Sequence, residues 1–280
     1  MKKVLTIAGS DSGGCAGIQA DIKTMSALGV FGMSAITAVT SQNTQGVTYI
    51  EELSIKSITT QIKAIYDDLT PDAIKSGMLF SKEIIVAVAD ILQKENKAPY
   101  VLDPVMVATS GAKLLQDDAI DMMIERLLPL ADIITPNIPE AEILSGMKIE
   151  NQKDVDEACR IIKNKGAKNV IIKGGHFENS QESVDTLYDG QNHYEIVSPR
   201  IVTKNTHGTG CTYSSAIASY LAQGFSMLDA CKYAKQYITS AIIYGADLNL
   251  GKGSGPVNHF YESVKNNNDG TISFGSCSCG

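Results

Sequence analysis

No stretch of the chain runs to about 20 uninterrupted apolar residues, so no membrane-spanning segment is expected. Nor is there a long block of lysine and arginine. With 24 basic against 31 acidic residues the formal net charge is −7, which argues against a polyanion such as nucleic acid as the main partner. Cysteine is sparse: six residues, at 15, 159, 211, 231, 277 and 279, form no Cys-x-x-Cys pair, so reduced thiols are expected rather than a disulfide framework. Lys2 and Lys3 precede an apolar run that stops at Gly9, Ser10 and Asp11, too brief for a secretory signal, and a cytoplasmic protein is expected. No Pro/Gly/Ser linker and no fixed-period repeat interrupts the chain. Residues 1–264 therefore read as a single domain, followed by a polar and Gly/Ser/Cys-rich tail over 265–280 that is expected to be disordered.

What is present is an alternation of two periodicities. The β-type runs Val4 to Ala8, Ser34 to Thr40, Ala73 to Lys75 and Tyr100 to Leu102 are each followed by apolar residues at helical spacing: Ile18, Ile22 and Met25; Ile58, Ile62, Ile65 and Leu69; Ile84, Ile85, Val88 and Leu92; and Ala119 to Leu128. The strands Asp132 to Thr135 and Asn169 to Lys173 flank a helix over Val155 to Lys165. Such an order calls for a mostly parallel sheet with helices on both faces. The segment Val184 to Ile201, broken near Asp189-Gly190, reads as an antiparallel hairpin at a sheet edge, and two long helices, Thr212 to Ala222 and Met227 to Tyr244, follow.

The chemistry concentrates in Asn205-Thr206-His207-Gly208-Thr209-Gly210-Cys211, between β-type sequence and a helical pattern. Glycines there permit close backbone approach, and the orphan amides and dipole of the next helix favour an anion, so the turn reads as a phosphate site. The same field is expected to lower the pKa of the Cys211 thiol and raise its thiolate fraction, making it a candidate base. The bland alternative is an ordinary turn with Cys211 as a small buried residue.

This stretch resembles the anion-hole motif of the ribokinase-like kinases, and its cysteine form is similar to that of the hydroxymethylpyrimidine and phosphomethylpyrimidine kinases. The resemblance extends, in order, over residues 3 to about 262: Leu5 to Asp11 with Gly13 to Asp21, Thr40 to Asn43, Lys75 to Leu79, Leu102 to Val107, Thr135 to Ala141 and Ile172 to His176. One departure is Cys15, where the family usually has glycine, which puts a backbone position of positive φ in question.

The resemblance implies a three-layer α/β/α ribokinase-like fold, a small-molecule pyrimidine substrate with ATP and Mg²⁺, a homodimer, and no nucleic acid or membrane partner. It implies that the amides of Gly208, Thr209, Gly210 and Cys211 cradle the transferred phosphoryl group while Cys211 takes the substrate proton. Lys173, Asn137 and Thr206 are expected at ATP, and Asp103 and Glu140 at Mg²⁺ through water, at the strand ends where doubly wound sheets bind ligands. Gln42, with an amide donor and acceptor, suits an aminopyrimidine edge. Gly9, Asp11, Met78, Val107 and His207 are placed near the ring by resemblance, although Met78 and Val107 could equally be core. Asn137, just before Pro139, also reads as a helix cap, and Asp21, a further candidate by resemblance, reads equally as a solvent-facing or capping residue. His176, His193 and His259 show no metal-ligand spacing and read as solvated or hydrogen-bonded. A pyridoxal kinase on the same scaffold is the nearest alternative, disfavoured by Ala108-Thr109-Ser110-Gly111 where that subgroup carries a second cysteine. A non-catalytic vitamer-binding or nucleotide-binding protein is the other.

Overall fold

The computed structural model describes residues 1–107, 111, 114–174 and 181–265. Ala108 to Ser110, His176, and Cys277 and Cys279 with nearly all of the tail lie outside the described residues.

In chain order the elements are β1 (Lys3–Asp11), α1 (Gly17–Ala27), β2 (Phe31–Asn43), β3 (Gly46–Glu52), α2 (Ile55–Asp68), β4 (Ala73–Ser76), α3 (Lys82–Glu95), β5 (Tyr100–Leu102), α4 (Asp117–Met122), β6 (Ile133–Ile134), α5 (Ile138–Ser145), α6 (Gln152–Asn164), β7 (Val170–Ile172), β8 (Glu182–Tyr188), β9 (His193–Pro199), α7 (Thr209–Ala222), α8 (Met227–Gly245) and α9 (Tyr261–Lys265). The strands form one sheet in the order β3-β2-β1-β4-β5-β6-β7-β8-β9. From β2 to β7 every pairing is parallel, while β3, β8 and β9 run antiparallel to their neighbours.

The layers follow from the period of two along each strand. Tyr100 and Leu102 of β5 point into a core shared with α2, α3, α5 and α6, while Val101 between them points into a second core with α1, α7 and α8. Val170, Ile171 and Ile172 of β7 divide in the same way. Strands buried on both faces must be apolar throughout, which is why they read as continuous runs. The β8–β9 hairpin lies at one sheet edge as expected. Its turn is fixed by Asp189 Oδ1, which accepts the amides of Gln191 and Asn192 at 2.7 Å each.

Three features differ from the sequence expectation. A second antiparallel edge strand, β3, pairs with β2, and most of its residues are exposed or half-buried, so it carries no apolar run to betray it. β2 extends beyond Thr40 to Asn43, which puts Gln42 inside the strand, next to a register shift at Ser41/Gln42 that re-aims its side chain. The helix expected over Ala119 to Leu128 is α4 followed by a π turn at Met123–Leu127 and a 3₁₀ turn at Leu128–Leu130, which holds Pro129.

Candidate active site

The carboxyl ends of β1, β2, β4, β5, β6 and β7 all open on one cleft. All of the candidate residues line it: Gly9, Asp11, Gln42, Met78, Asp103, Val107, Asn137, Glu140, Lys173, Thr206, His207, Gly208, Thr209, Gly210 and Cys211. Six parallel strands end there because their connections return through helices, so consecutive strand ends share one edge.

At the centre is the start of α7. Gly208 takes the N-cap position with φ +80°, and a Cβ there would run into the Cys15 carbonyl, so only glycine fits. It offers no side-chain cap, and the first helical bond is Thr212 N–H to the Gly208 carbonyl at 2.9 Å, which leaves the Gly210 and Cys211 amides at the cleft wall. A Cβ on Gly210 would stand 3.4 Å from Lys173 Nζ, so the lysine ammonium borders the same spot as the turn.

Beneath this turn runs a buried row of alternating charges. Lys173 Nζ lies 3.3 Å from Asp103 Oδ1, Asp103 Oδ2 lies 4.0 Å from Lys75 Nζ, and Lys75 donates to both Asp21 oxygens at 3.0 Å. Hydroxyls complete the row: Thr135 and Ser214 donate to Asp103 at 3.0 and 3.1 Å, and Thr6 and Ser215 donate to Asp21 at 2.6 and 2.7 Å. Burial opposes the charge on Lys75, yet Asp21, Cys211 and Asp103 hold its pKa above the usual lysine value. Burial likewise opposes the Asp103 carboxylate, and Lys173 with Lys75 holds its pKa below the ordinary range.

Asp21 is thus neither solvent-facing nor a cap, since its side chain is fully buried in an ion pair. Lys75, Ser214 and Ser215 are the members that sequence reasoning missed. The available sign was a lysine inside the buried strand Ala73–Ser76, where a charge survives only with a partner.

The acidity of Cys211 runs opposite to expectation. Desolvation of the thiol pushes its pKa up to about 11, outweighing Lys75 and the Gly17 amide, so the thiol is protonated at neutral pH in the free protein. Asn137 is both cleft residue and cap. Its side chain accepts from the Glu140 amide and Glu140 accepts from the Asn137 amide, each at 2.9 Å, a capping box on α5. Burial pushes Glu140 up to about 7, with Asp103 adding to it and Lys173 opposing.

On the other side of the cleft, Gln42 Nε2 lies 2.8 Å from His207 Nε2, and burial lowers the pKa of His207, keeping the imidazole neutral. Val107 is 52% exposed and Met78 7%, so Val107 is not core. Asp11 uses its carboxylate on the amides of Gly13, Cys15 and Ala16 at 2.8 to 2.9 Å, which shapes the loop into α1. Positive φ falls on Gly14 and Gly17, not on Cys15, so the cysteine is accommodated without backbone strain. Asn205 is a clamp: its side-chain amide donates to the carbonyls of Gly245, Ala246 and Leu248 and accepts from Gly255 N.

Of the histidines, His259 is hydrogen-bonded to Thr212 as expected. His193 stacks on Tyr188 with centroids 4.3 Å apart, and its Nδ1 lies 3.4 Å from Asp156 Oδ1.

A glycine turn at a helix start beside a lysine, set at the carboxyl edge of a mostly parallel sheet with antiparallel edges and helices on both faces, is the arrangement of the ribokinase-like kinases. The family model "Phosphomethylpyrimidine kinase" matches residues 11–258, and the chain belongs to that family. It is 51% identical to the hydroxymethylpyrimidine/phosphomethylpyrimidine kinase of Haemophilus influenzae over 93% of this chain and 97% of that one. It is 51% identical to the thiamine biosynthesis bifunctional protein ThiED of Geobacter sulfurreducens over 91% of this chain, and spans about half (52%) of that longer relative. The Staphylococcus aureus pyridoxal kinase in complex with AMP-PCP and pyridoxal superposes with a TM-score of 0.85 at 38% identity, covering 93% and 94% of the two chains.

Proposed function

We propose that the chain is an ATP-dependent kinase of thiamine biosynthesis. It phosphorylates the hydroxymethyl group of 4-amino-5-hydroxymethyl-2-methylpyrimidine and then the monophosphate, giving the diphosphate. In this reading residues 1–264 act as one kinase domain within a cytoplasmic homodimer that engages neither nucleic acid nor membrane. The observation that carries it is the Gly208–Cys211 turn with Lys173 at its side. The names of the relatives supply the substrate class.

Phosphoryl transfer needs mainly position and charge neutralisation. The hydroxymethyl oxygen attacks the γ-phosphorus in line as the bond to ADP breaks. The Gly208–Cys211 amides receive the charge on the equatorial oxygens, and Lys173, with Thr206 and Asn137 nearby, holds the nucleotide phosphates. Cys211 takes the hydroxymethyl proton. That role needs the thiolate, and Lys75 with the Gly17 amide are the groups that favour it. Gln42, its side chain already aimed at His207, presents an amide to the ring, while Gly9, Asp11, Met78 and Val107 wall the ring site.

Mg²⁺ fits the Asp103 and Glu140 side of the cleft. Glu140 is a carboxylate whose charge burial disfavours and a cation would restore. Both oxygens of Asp103 already have protein partners, so contact through water suits an ion that keeps its hydration. Bound there with ATP, the ion would neutralise phosphate charge.

The test is ATP consumption with the pyrimidine, its monophosphate and pyridoxal, resolving products by mass. Phosphorylated and diphosphorylated pyrimidine are expected, and Cys211→Ala is expected to lose turnover by ~10²-fold or more while still binding ATP. A second reading, pyridoxal kinase, is favoured by the likeness to the pyridoxal-bound neighbour. Preferential turnover of pyridoxal would select it, and failure on every substrate would leave a binding protein.

A further inference from the structure

Three side chains at the edge of the cleft come together in a way that phosphoryl transfer alone does not require. A carboxylate oxygen of Asp11, Cys15 Sγ and a ring nitrogen of His207 lie within 4.8 Å of one another, all three residues buried. They come from separate segments: the end of β1, the loop before α1, and the turn before α7.

Each has donor capacity to spare or to exchange. Asp11 Oδ2 accepts two amides, from Cys15 and Ala16, but among the described residues Oδ1 accepts only that of Gly13, at 2.8 Å, and keeps a lone pair. Among the described residues Cys15 Sγ has only a weak 3.6 Å contact with the Gly13 carbonyl. The His207 ring meets the Gln42 amide through Nε2 and is also hydrogen-bonded to the Ser254 backbone. With Nε2 accepting from Gln42, the proton sits on Nδ1 and faces Ser254, the outer hydrogen bond that metal-ligating histidines use.

We propose that Asp11, Cys15 and His207 form a site for a borderline divalent cation, Zn²⁺ in the first instance, apart from the carboxylates assigned to Mg²⁺. Thiolate, imidazole and carboxylate together suit zinc, whereas Mg²⁺ takes oxygen ligands in an octahedron. Ligands about 2.0 to 2.3 Å from a tetrahedral centre stand roughly 3.5 Å apart, so no pair here has to close by more than about 1.3 Å, within the reach of side-chain rotation. Three protein ligands leave a fourth position open. Coordination takes His207 Nε2 from Gln42, so the cation competes with a pyrimidine held by that amide. Only this last effect rests on the proposed function.

The test uses the full chain with Cys277→Ser and Cys279→Ser, which removes the thiols near the carboxyl terminus, and Co²⁺ alone without nucleotide. A thiolate-to-cobalt charge-transfer band saturating at one equivalent and displaced by Zn²⁺ is expected. Cys15→Ser in that background loses the band and at least tenfold in Zn²⁺ affinity, whereas Cys211→Ser keeps both. Absence of the band, or a band that survives Cys15→Ser, overturns the site. Should Cys15→Ser not fold, zinc-edge X-ray absorption of the Cys211→Ser chain decides: one sulfur at about 2.3 Å supports the site and none overturns it. In turnover, Zn²⁺ is expected to raise the pyrimidine KM of the parent but not of Cys15→Ser. Metal binding through Cys15 without any pyrimidine turnover would refute the functional reading and leave the site standing.

Discussion

Gly208 has a single task, to let the chain turn from His207 into α7 while its α-carbon rests against the Cys15 carbonyl. Its φ of +80° and the clash awaiting any Cβ act together, so Gly208→Ala must move either α7 or the loop before α1. A loss of about 1 to 3 kcal/mol is expected from the urea midpoint, with a larger proportional fall in turnover because the displaced amides are the proposed phosphoryl cradle. An unchanged midpoint would mean that the turn is softer than its geometry indicates. Gly208 was legible because a Gly-x-Gly before a helical pattern needs few other facts to be read. The acidity of Cys211 was not. The sequence announces the helix start that favours a thiolate, but the desolvation that wins comes from burial of the thiol, which exists only once the chain is folded. Val107 shows the same limit, since an apolar residue after a strand is ambiguous until its exposure is known.

At the level of elements, the charge row fastens α1, β4, β5 and α7 to one another through Asp21, Lys75, Asp103, Ser214 and Ser215. These elements were each visible as periodic segments, yet their junction was not, because serines on an apolar helix and a lysine in a strand find meaning only when brought together. β3 was missed for a related reason: its residues are mostly exposed, and it is defined by backbone pairing to β2 rather than by apolar side chains. Lys75→Met leaves Asp21 buried with hydroxyl partners alone, and a cost of about 3 to 5 kcal/mol is expected. Asp21→Leu alone, which strands the lysine beside Asp103, should be comparably harmful. The double variant Asp21→Leu/Lys75→Met removes both buried charges, so its loss should fall well short of the sum of the two. Urea denaturation of the four proteins measures this coupling directly, and strict additivity would show that the ion pair does not bind the elements together.

Across the whole molecule, the two faces of the sheet are closed differently. The α2–α6 face was readable from helical periodicity, but the layer of α1, α7 and α8 is completed by a segment near residue 259 that has no apolar pattern of its own. His259 closes that layer: its Nε2 lies 3.0 Å from Thr212 Oγ1 on α7, and its carbonyl accepts from Tyr237 on α8 at 2.8 Å. Burial, helped slightly by Lys23, lowers its pKa from 6.5 to about 4, so the folded protein holds the neutral imidazole. The unfolded chain protonates this ring as pH falls below 6.5, whereas the folded chain resists until about 4. The stability this group contributes is therefore full above pH 6.5 and is lost progressively as pH falls towards 4, by up to ~3 kcal/mol, at about 1.4 kcal/mol per tenfold change in acidity constant. His259→Gln is expected to be less stable than the parent at pH 7.5, through its altered packing, yet to lose markedly less between pH 7.5 and pH 4. Urea denaturation of both proteins across that range isolates the histidine, because the carboxylates common to both cancel in the difference. Parallel curves would mean that His259 takes up its proton in the folded state as readily as in the unfolded one, and that the acid sensitivity of this layer arises elsewhere.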